Sequence, residues 1–325
     1  MSRIDWKPPL LVLAVLAGAL LLIGNPSTWA TLTVAGLAMG LLIFLMASGL
    51  TLVFGLMDVM NFAHGVFIAV GAYVAVSAMK LFAGAAGAES LWVNLAALVP
   101  AMLAAALAGG LLGLFFERVI IRPVYGQHLK QILITTGGMI VAEQLIHVLW
   151  GPDILPLPRP GALKGAFLIG DVALEKYRLS AVVIGLAVLV AMLLVLNRTK
   201  IGLLIRAGVE NKEMVEAMGY RIRRLFVAVF VAGSALAGLG GALWGMYQES
   251  VTVQIGAQMM VLIFIVIIIG GLGSVLGCFT GALLVGLVAN YIGFLSPKIA
   301  LGSNILLMVL VLLWRPQGLY AVSRQ

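Results

Sequence analysis

The chain has 325 residues, of which 63% are hydrophobic and only 10% charged, with a mean hydropathy of +1.16. Soluble domains run nearer about 45–50% apolar and about 25% charged, so a water-soluble fold is excluded and an integral membrane protein is indicated. The formal charge of +8 would suit a nucleic-acid binder, but Lys and Arg cluster in alternate loops between apolar runs. That is positive-inside topology, so the expected surroundings are membrane lipid and no nucleic acid.

A bilayer core of ~30 Å takes about 20 apolar residues per helix, and this rule predicts an all-α polytopic protein of about ten spans. The opening stretch MSRIDWKPPLLVLAVLAGALLLIG has the charge and apolar core of a signal peptide. It lacks a small-x-small cleavage site and reads as a retained first span, Pro9 to Ile23. The turn Gly24 to Ser27 separates it from a second span, Trp29 to Phe54. The next three are Gly65 to Leu81, Leu91 to Phe116 and Gln131 to Trp150. The second half supplies Leu179 to Leu196, Leu225 to Tyr247, Met259 to Ile269, Val275 to Phe294 and Ile299 to Trp314. An eight-span alternative with two re-entrant segments keeps both termini on the same side. Five spans in each half would make the second half an inverted repeat of the first, an arrangement common in transporters.

Charge orients these spans. With Arg3 and Lys7 inside, the loop Glu117 to Lys130, the stretch Asn197 to Arg224 and the tail with Arg315 and Arg324 also fall inside. The loop Gly151 to Arg178 falls outside and is the exception to the rule. It carries Arg159, Lys164, Lys176 and Arg178 against Asp153, Asp171 and Glu175.

Two segments interrupt the apolar runs. FGLMDVMNFAHG, Phe54 to Gly65, places Asp58, Asn61 and His64 where polar groups are costly unless they face protein or water. They are candidates for a translocation pathway, and equally for a turn that holds two spans apart. GGLGSVLG, Gly270 to Gly277, is uncharged but able to unwind a helix, which is tolerated at depth only where it is buried in protein or lines a cavity. Glu143 and its neighbour Gln144 lie inside a span and are further pathway candidates, or part of a structural hydrogen-bond network. Glu143 and His147 sit four apart but offer only two ligands, so no metal site is expected. Gly36/Gly40, Gly109/Gly113, Gly241/Gly245 and Gly273/Gly277/Gly281 follow small-xxx-small spacing and mark expected helix crossings. Cys278 has no cysteine to pair with.

The stretch NRTKIGLLIRAGVENKEMVEAMGYRIRR, Asn197 to Arg224, is a charged island in an apolar chain. Asn211 would cap a short helix from Lys212 to Met218, closed by Gly219. Glu210, Glu213 and Glu216 precede Arg221, Arg223 and Arg224, as the helix dipole prefers. Met214, Val215 and Met218 would give that helix an apolar knob able to enter a groove on another protein. A solvated loop whose charges only set topology is the plainer alternative. No G-x-x-x-x-G-K-[ST] sequence is present, so the chain does not hydrolyse ATP itself and no catalytic set is discernible.

GLTLVFGLMDVMNFAHGVFIAVGAYVAV (Gly49 to Val76), FERVIIRPV (Phe116 to Val124), the Asn197 to Gly219 loop, IIIGGLGSVLG (Ile267 to Gly277) and RPQGL (Arg315 to Leu319) occur in that order. Together they resemble the LivH-type permeases of branched-chain amino acid ABC importers, over nearly the whole chain. The resemblance implies a single transmembrane permease domain, 1–325, in a bacterial inner membrane with both termini cytoplasmic. It further implies a second related permease, two cytoplasmic ATPases that carry ATP and magnesium, and a periplasmic solute-binding protein. It makes 197–224 the cytoplasmic coupling loop, with Glu210, Lys212, Glu213, Met214, Glu216, Ala217, Met218 and Gly219 as the contact to the ATPase. Related permeases move urea, short amides or other small solutes, so the solute stays open. The reading from another class is a stand-alone secondary transporter or channel, driven by a gradient through Glu143 and His64.

Overall fold

The computed structural model describes residues 6–57, 59–210 and 212–320. Helices dominate, and ten of them fall on the ten predicted apolar stretches. They are α1 (Lys7–Ile23), α2 (Pro26–Met57), α3 (His64–Leu81), α5 (Leu91–Phe115), α6 (His128–Trp150), α7 (Lys176–Arg198), α10 (Ile222–Gln248), α11 (Ile255–Gly270), α12 (Val275–Leu295) and α13 (Pro297–Trp314). Three shorter helices join them: α4 (Ala83–Gly87), α8 (Lys200–Glu210) and α9 (Lys212–Ala217). Seven of the described helical segments are long and apolar enough to cross a membrane. The helices α1 and α11 and the stretch Gly302–Trp314 of α13 are shorter. At 1.5 Å per residue, the 16 residues of α11 reach only about 24 Å of a ~30 Å core.

The bundle is built around α2, α3, α5, α10 and α12. The helix α2 lies against α12, α10 lies against α5 and α3, and α2 and α10 cross each other. Close approach at these crossings is made by glycine. A methyl group on Gly233 would sit 2.8 Å from the carbonyl oxygen of Gly49, and a methyl on Gly49 would run into Gly233 in turn. The same reciprocity joins Gly65 of α3 to Gly256 of α11. In a bilayer, where apolar burial does not drive helices together, such backbone contact supplies the dispersion and Cα–H···O attraction that does. Phe44 against Phe279 and Phe67 against Phe116 and Phe230 pack edge-to-face between these seams. Conversely, α6 and α7 keep rows of large apolar side chains exposed, among them Leu133, Ile140, Val148, Val183 and Val190.

Long-range contacts sort the loops onto two ends. At one end, residues 59–63 meet the start of α6, and the turn after α5 meets the start of α10. At the other, Asn94 of α5 binds the carbonyls of Ala85 and Ala88, both at 2.8 Å, and accepts from the Ala162 amide at 2.6 Å. Two small antiparallel pairs cap this second end: β1 (Leu155–Pro156) with β4 (Ser250–Val251), and the hairpin of β2 (Ala166–Ile169) with β3 (Val172–Glu175).

The surplus basic charge of the 151–178 loop is largely answered in place. Arg159 reaches Glu175 at 3.0 Å and Glu249 at 3.2 Å, donates to the Tyr247 carbonyl at 3.0 Å and lies over the Tyr177 ring. Arg178 holds Glu175 at 3.1 Å. Glu249, from the far end of α10, is the acid missing from the local count, and it stands in the left-handed region with φ 57°.

Candidate functional site

The two breaks in the apolar sequence meet. The helix α2 ends at Met57, and Gly55 in its last turn lies against Gly273, whose φ of 81° lets the chain turn between α11 and α12. Residues 59–63 are then held by α6. The Met60 amide donates to Gln131 Oε1 at 3.3 Å and the Phe62 amide to Thr135 Oγ1 at 3.2 Å. Gln131 and Thr135 are buried; these two pins were missed from the sequence, and a polar pair four apart at the start of an apolar span is the signal that marks them. The tail RPQGL closes the same region, with Leu319 donating to the Ile269 carbonyl and Tyr320 to the Gly270 carbonyl, both at 2.9 Å.

Between the breaks lies a cavity of about 250 Å³, lined chiefly by Phe54, Met60, Phe62, Phe264 and Ile267, with Asn61 as its polar member. Asn61 is 2% exposed; its Oδ1 accepts from the Ala63 amide at 3.1 Å while its Nδ2 has no partner. A buried amide donor left over in an apolar cavity is the feature expected of a site that orients a small ligand by one or two polar contacts.

The remaining pathway candidates do not join it. Asp58 lies outside the described residues. His64 is buried, and its Nε2 lies 3.0 Å from the Met46 carbonyl, with the ring edge-on to Phe67. That contact staples α3 to α2. Glu143 is half-buried on α6 near His147, and Gln144 is exposed. Among the described residues no group of three metal-ligating side chains comes together.

The expected crossings resolve individually. Gly36 and Gly40 face α12, Gly109 and Gly113 face α10, Gly241 faces α3, and Gly277 and Gly281 face α11. Gly245 meets Val251 and Leu157 of the end cap first and Ala72 of α3 only at 3.8 Å, and Gly273 serves the turn beside Gly55. Gly245 departs from the spacing rule because it lies in the last turn of α10, where a loop supplies the nearest neighbours, and Gly273 because it lies between two helices.

The charged island forms two helices where one was expected. The first, α8, is an 11-residue helix with Ile205 buried, and α9 follows at once. Asn211 lies outside the described residues, as do the side chains of Glu210 and Lys212. Gly219, with φ 86°, ends the segment, its amide 2.9 Å from the Glu216 carbonyl. Glu213, Met214, Glu216, Ala217 and Met218 are exposed, whereas Val215 is 2% exposed where α9 packs on α8 and α10. The expected three-residue apolar knob is therefore Met214 and Met218 alone, and Val215 is the seat that fixes the helix to the bundle.

A second cavity of about 320 Å³ adjoins this segment, lined by Glu117, Arg118, Arg122, Arg223, Arg224 and Val227. Glu117 is buried and accepts from the Tyr125 hydroxyl at 3.1 Å. Burial, and next the adjacent carboxylate, push the Tyr125 phenol well above its ordinary range, so it stays a donor.

Apolar helices that span a membrane, broken in two places around an internal cavity, with a helix pair displayed at one end, define a multi-pass membrane transport protein. The sequence profile described as "Branched-chain amino acid transport system / permease component" matches residues 32–314, and the chain belongs to that family. It is 31% identical to the high-affinity branched-chain amino acid transport system permease protein BraD of Pseudomonas aeruginosa, over 88% of this chain and 94% of that one. It is 26% identical to LivH of Salmonella typhimurium over 87% and 92%. It is also 28% identical to LivM of Escherichia coli, another high-affinity branched-chain amino acid permease, over 91% of this chain and 70% of that one. These relatives are transport permease subunits, not enzymes.

Proposed function

We propose that this chain is one half of the translocation unit of an importer for branched-chain amino acids. It works with a second permease, two ATPases that carry ATP and magnesium, and a periplasmic solute-binding protein. The observation that carries this reading is α9: a short helix seated by Val215, with Glu213, Met214, Glu216 and Met218 turned outward, at the root of the helix that touches α2, α3 and α5. An exposed amphipathic helix of this kind suits a groove on a partner. The names of BraD and LivH support the solute, and the match to LivM supports a related second permease. The α9 end, which also holds Arg118, Arg122, Arg223 and Arg224, is taken as cytoplasmic by the positive-inside rule, which puts both termini there in an inner membrane.

All ten long helices cross in this reading, α1, α11 and α13 with local thinning of the bilayer. The repeat pairs α2, α3, α5 and α6 with α10, α11, α12 and α13. In support, exchanging the partners turns the α2–α12 contact into α10–α5 and the α3–α5 contact into α11–α12, all four of which are made. The crossings of α2 with α10 and of α3 with α11 are the self-paired ones, and both carry reciprocal glycines. The solute's aliphatic side chain would pass the apolar cavity, with Asn61 Nδ2 meeting its carboxylate. A stand-alone gradient-driven carrier is not favoured, since Glu143 and His64 stand on different helices with separate surroundings.

The test is a Glu213→Arg/Glu216→Arg double change. Both sites are exposed, so the chain should insert and fold as before while ATPase co-purification and amino-acid uptake fall at least about tenfold, the loss of charge-assisted contacts. Unchanged association and uptake would reduce the island to a topology signal.

A further inference from the structure

The FERVIIRPV segment has no part in the apolar cavity or in α9, yet it builds a cavity of its own. After α5 the helix widens into a π turn, Phe116–Ile121. That turn directs Glu117 inward, where it is 1% exposed. One carboxylate oxygen accepts from Tyr125; the other, Oε2, is buried without a partner although the residue lines a cavity of about 320 Å³. A buried acceptor is costly to leave unmade, so the cavity is shaped for a ligand group that donates a hydrogen bond. Arg118 and Arg122 from the turn and Arg223 and Arg224 from the first turn of α10 complete the lining. Four guanidinium groups against one carboxylate leave a strong surplus of positive charge, in the fork geometry that suits phosphate oxygens.

A third feature says where the ligand comes from. Leu111, Phe115 and Val119 are exposed by 66%, 52% and 56% and lie along the apolar segment that ends in this turn. At four-residue spacing they make an apolar track along that segment, ending next in sequence to Arg118 in the turn that lines the cavity. A soluble phosphate has no use for such a track, whereas acyl chains do.

We propose that this cavity binds the headgroup of a glycerophospholipid. Its phosphodiester oxygens lie on the arginines, its headgroup hydroxyl donates to Glu117 Oε2, and its acyl chains lie along Leu111, Phe115 and Val119. Phosphatidylglycerol carries both the anionic phosphodiester and the hydroxyl donor. Phosphatidylcholine has the phosphodiester without the donor. Basic pockets between spans on the cytoplasmic side are general sites for anionic headgroups; the buried carboxylate adds a demand on headgroup chemistry. Because Arg223 and Arg224 open the helix that follows α9, an occupied site ties the root of that segment to the end of α5.

The full chain, extracted in mild detergent with the subunits that accompany it, is titrated by native mass spectrometry with phosphatidylglycerol, phosphatidylcholine and inorganic phosphate. The expected result is one phosphatidylglycerol per chain, preferred about tenfold over phosphatidylcholine and not displaced by millimolar phosphate. Arg122→Gln/Arg223→Gln should weaken that binding at least about tenfold, and Arg122→Lys/Arg223→Lys should retain part of it. Glu117→Gln should keep phosphodiester binding while narrowing the headgroup preference to about threefold, because a neutral acceptor replaces a charged one. If the glutamine pair fails to fold, the lysine pair and Glu117→Gln still decide the matter. Equal binding of the two lipids, displacement by inorganic phosphate, or unchanged preference in Glu117→Gln would overturn the proposal. So would loss of an accompanying subunit in the arginine variants with lipid binding intact, which would mark a protein interface.

Discussion

Gly109 and Gly137 are both helix-interior glycines in apolar segments, and adding one methyl to each should act in opposite directions. In Gly109→Ala the new Cβ would lie 2.6 Å from the Ser234 carbonyl oxygen and 3.1 Å from the Gly238 Cα on α10. Carbon–oxygen contacts between helices settle near 3.3 Å or beyond, so α5 and α10 must part by about 0.7 Å. A gap of that size forfeits roughly a quarter to a half of each atom-pair attraction, itself about 0.1–0.2 kcal/mol. Over a seam of roughly 40 such pairs the loss is about 2 kcal/mol, within the ~1–3 kcal/mol typical of overpacked cores. Relief of glycine's helix penalty returns up to about 1 kcal/mol. A methyl added at Gly137 would have nothing within 4 Å, so Gly137→Ala collects that gain without the strain. The two variants should therefore differ by about 2 kcal/mol. Apparent melting temperatures in detergent at a fixed scan rate should separate by at least about 3 °C, with Gly109→Ala the lower. Indistinguishable melting curves would refute the claim that backbone-on-backbone seams hold this bundle together.

Tyr125→Phe removes the hydroxyl that donates to the buried Glu117 and should cost about 1–3 kcal/mol in the same assay. Since burial raises the folded-state phenol, the wild-type contribution is fully present below the unfolded value of about pH 10 and is lost only above it; a penalty that varies between about pH 6 and 9 would contradict this. Arg159→Met breaks the contacts to Glu175, Glu249 and the Tyr247 carbonyl. As these groups are partly exposed, the cost is discounted to about 1–2 kcal/mol, and it should be read as faster proteolysis within 151–175.

The helices were legible because a bilayer demands long apolar runs: all ten predicted stretches are helical, and seven of the described helical segments are long and apolar enough to cross. Legibility failed where the deciding contact is remote. Glu249 stands 90 residues along the chain from Arg159, so the 151–178 loop read as only partly balanced by its own acids. The meeting of Gly55 with Gly273 could not be seen from two breaks more than 200 residues apart, although each break was visible by itself. The helix α8 was missed for a different reason. Its charges drew attention away from an apolar face at Ile201, Leu204, Ile205 and Gly208 that follows helical spacing. Val215 was placed outside with its neighbours because a six-residue helix is too short for periodicity to choose a face.

The way α10 is packed bears on how a push on α9 could reach the cavity beside Asn61. It starts at Ile222, just past Gly219, and α9, with Val215 buried, packs on it and on α8. Along its length it meets Gly49 of α2, Gly71 of α3 and Gly109 of α5 with its own Gly233 and Gly238. Seams of this kind have few interlocking side chains, and close-packed interiors compress little. A displacement of α10 is therefore passed to α2 and α3 as whole bodies rather than absorbed. The segment joining those two helices is the one that carries Asn61, and its far side is fixed to α6 by Gln131 and Thr135. Movement of α2 and α3 against a pinned turn must change the cavity between Phe54, Phe62 and Phe264 before it changes anything else. On the proposed reading, that is the step at which work done on α9 is felt by the solute.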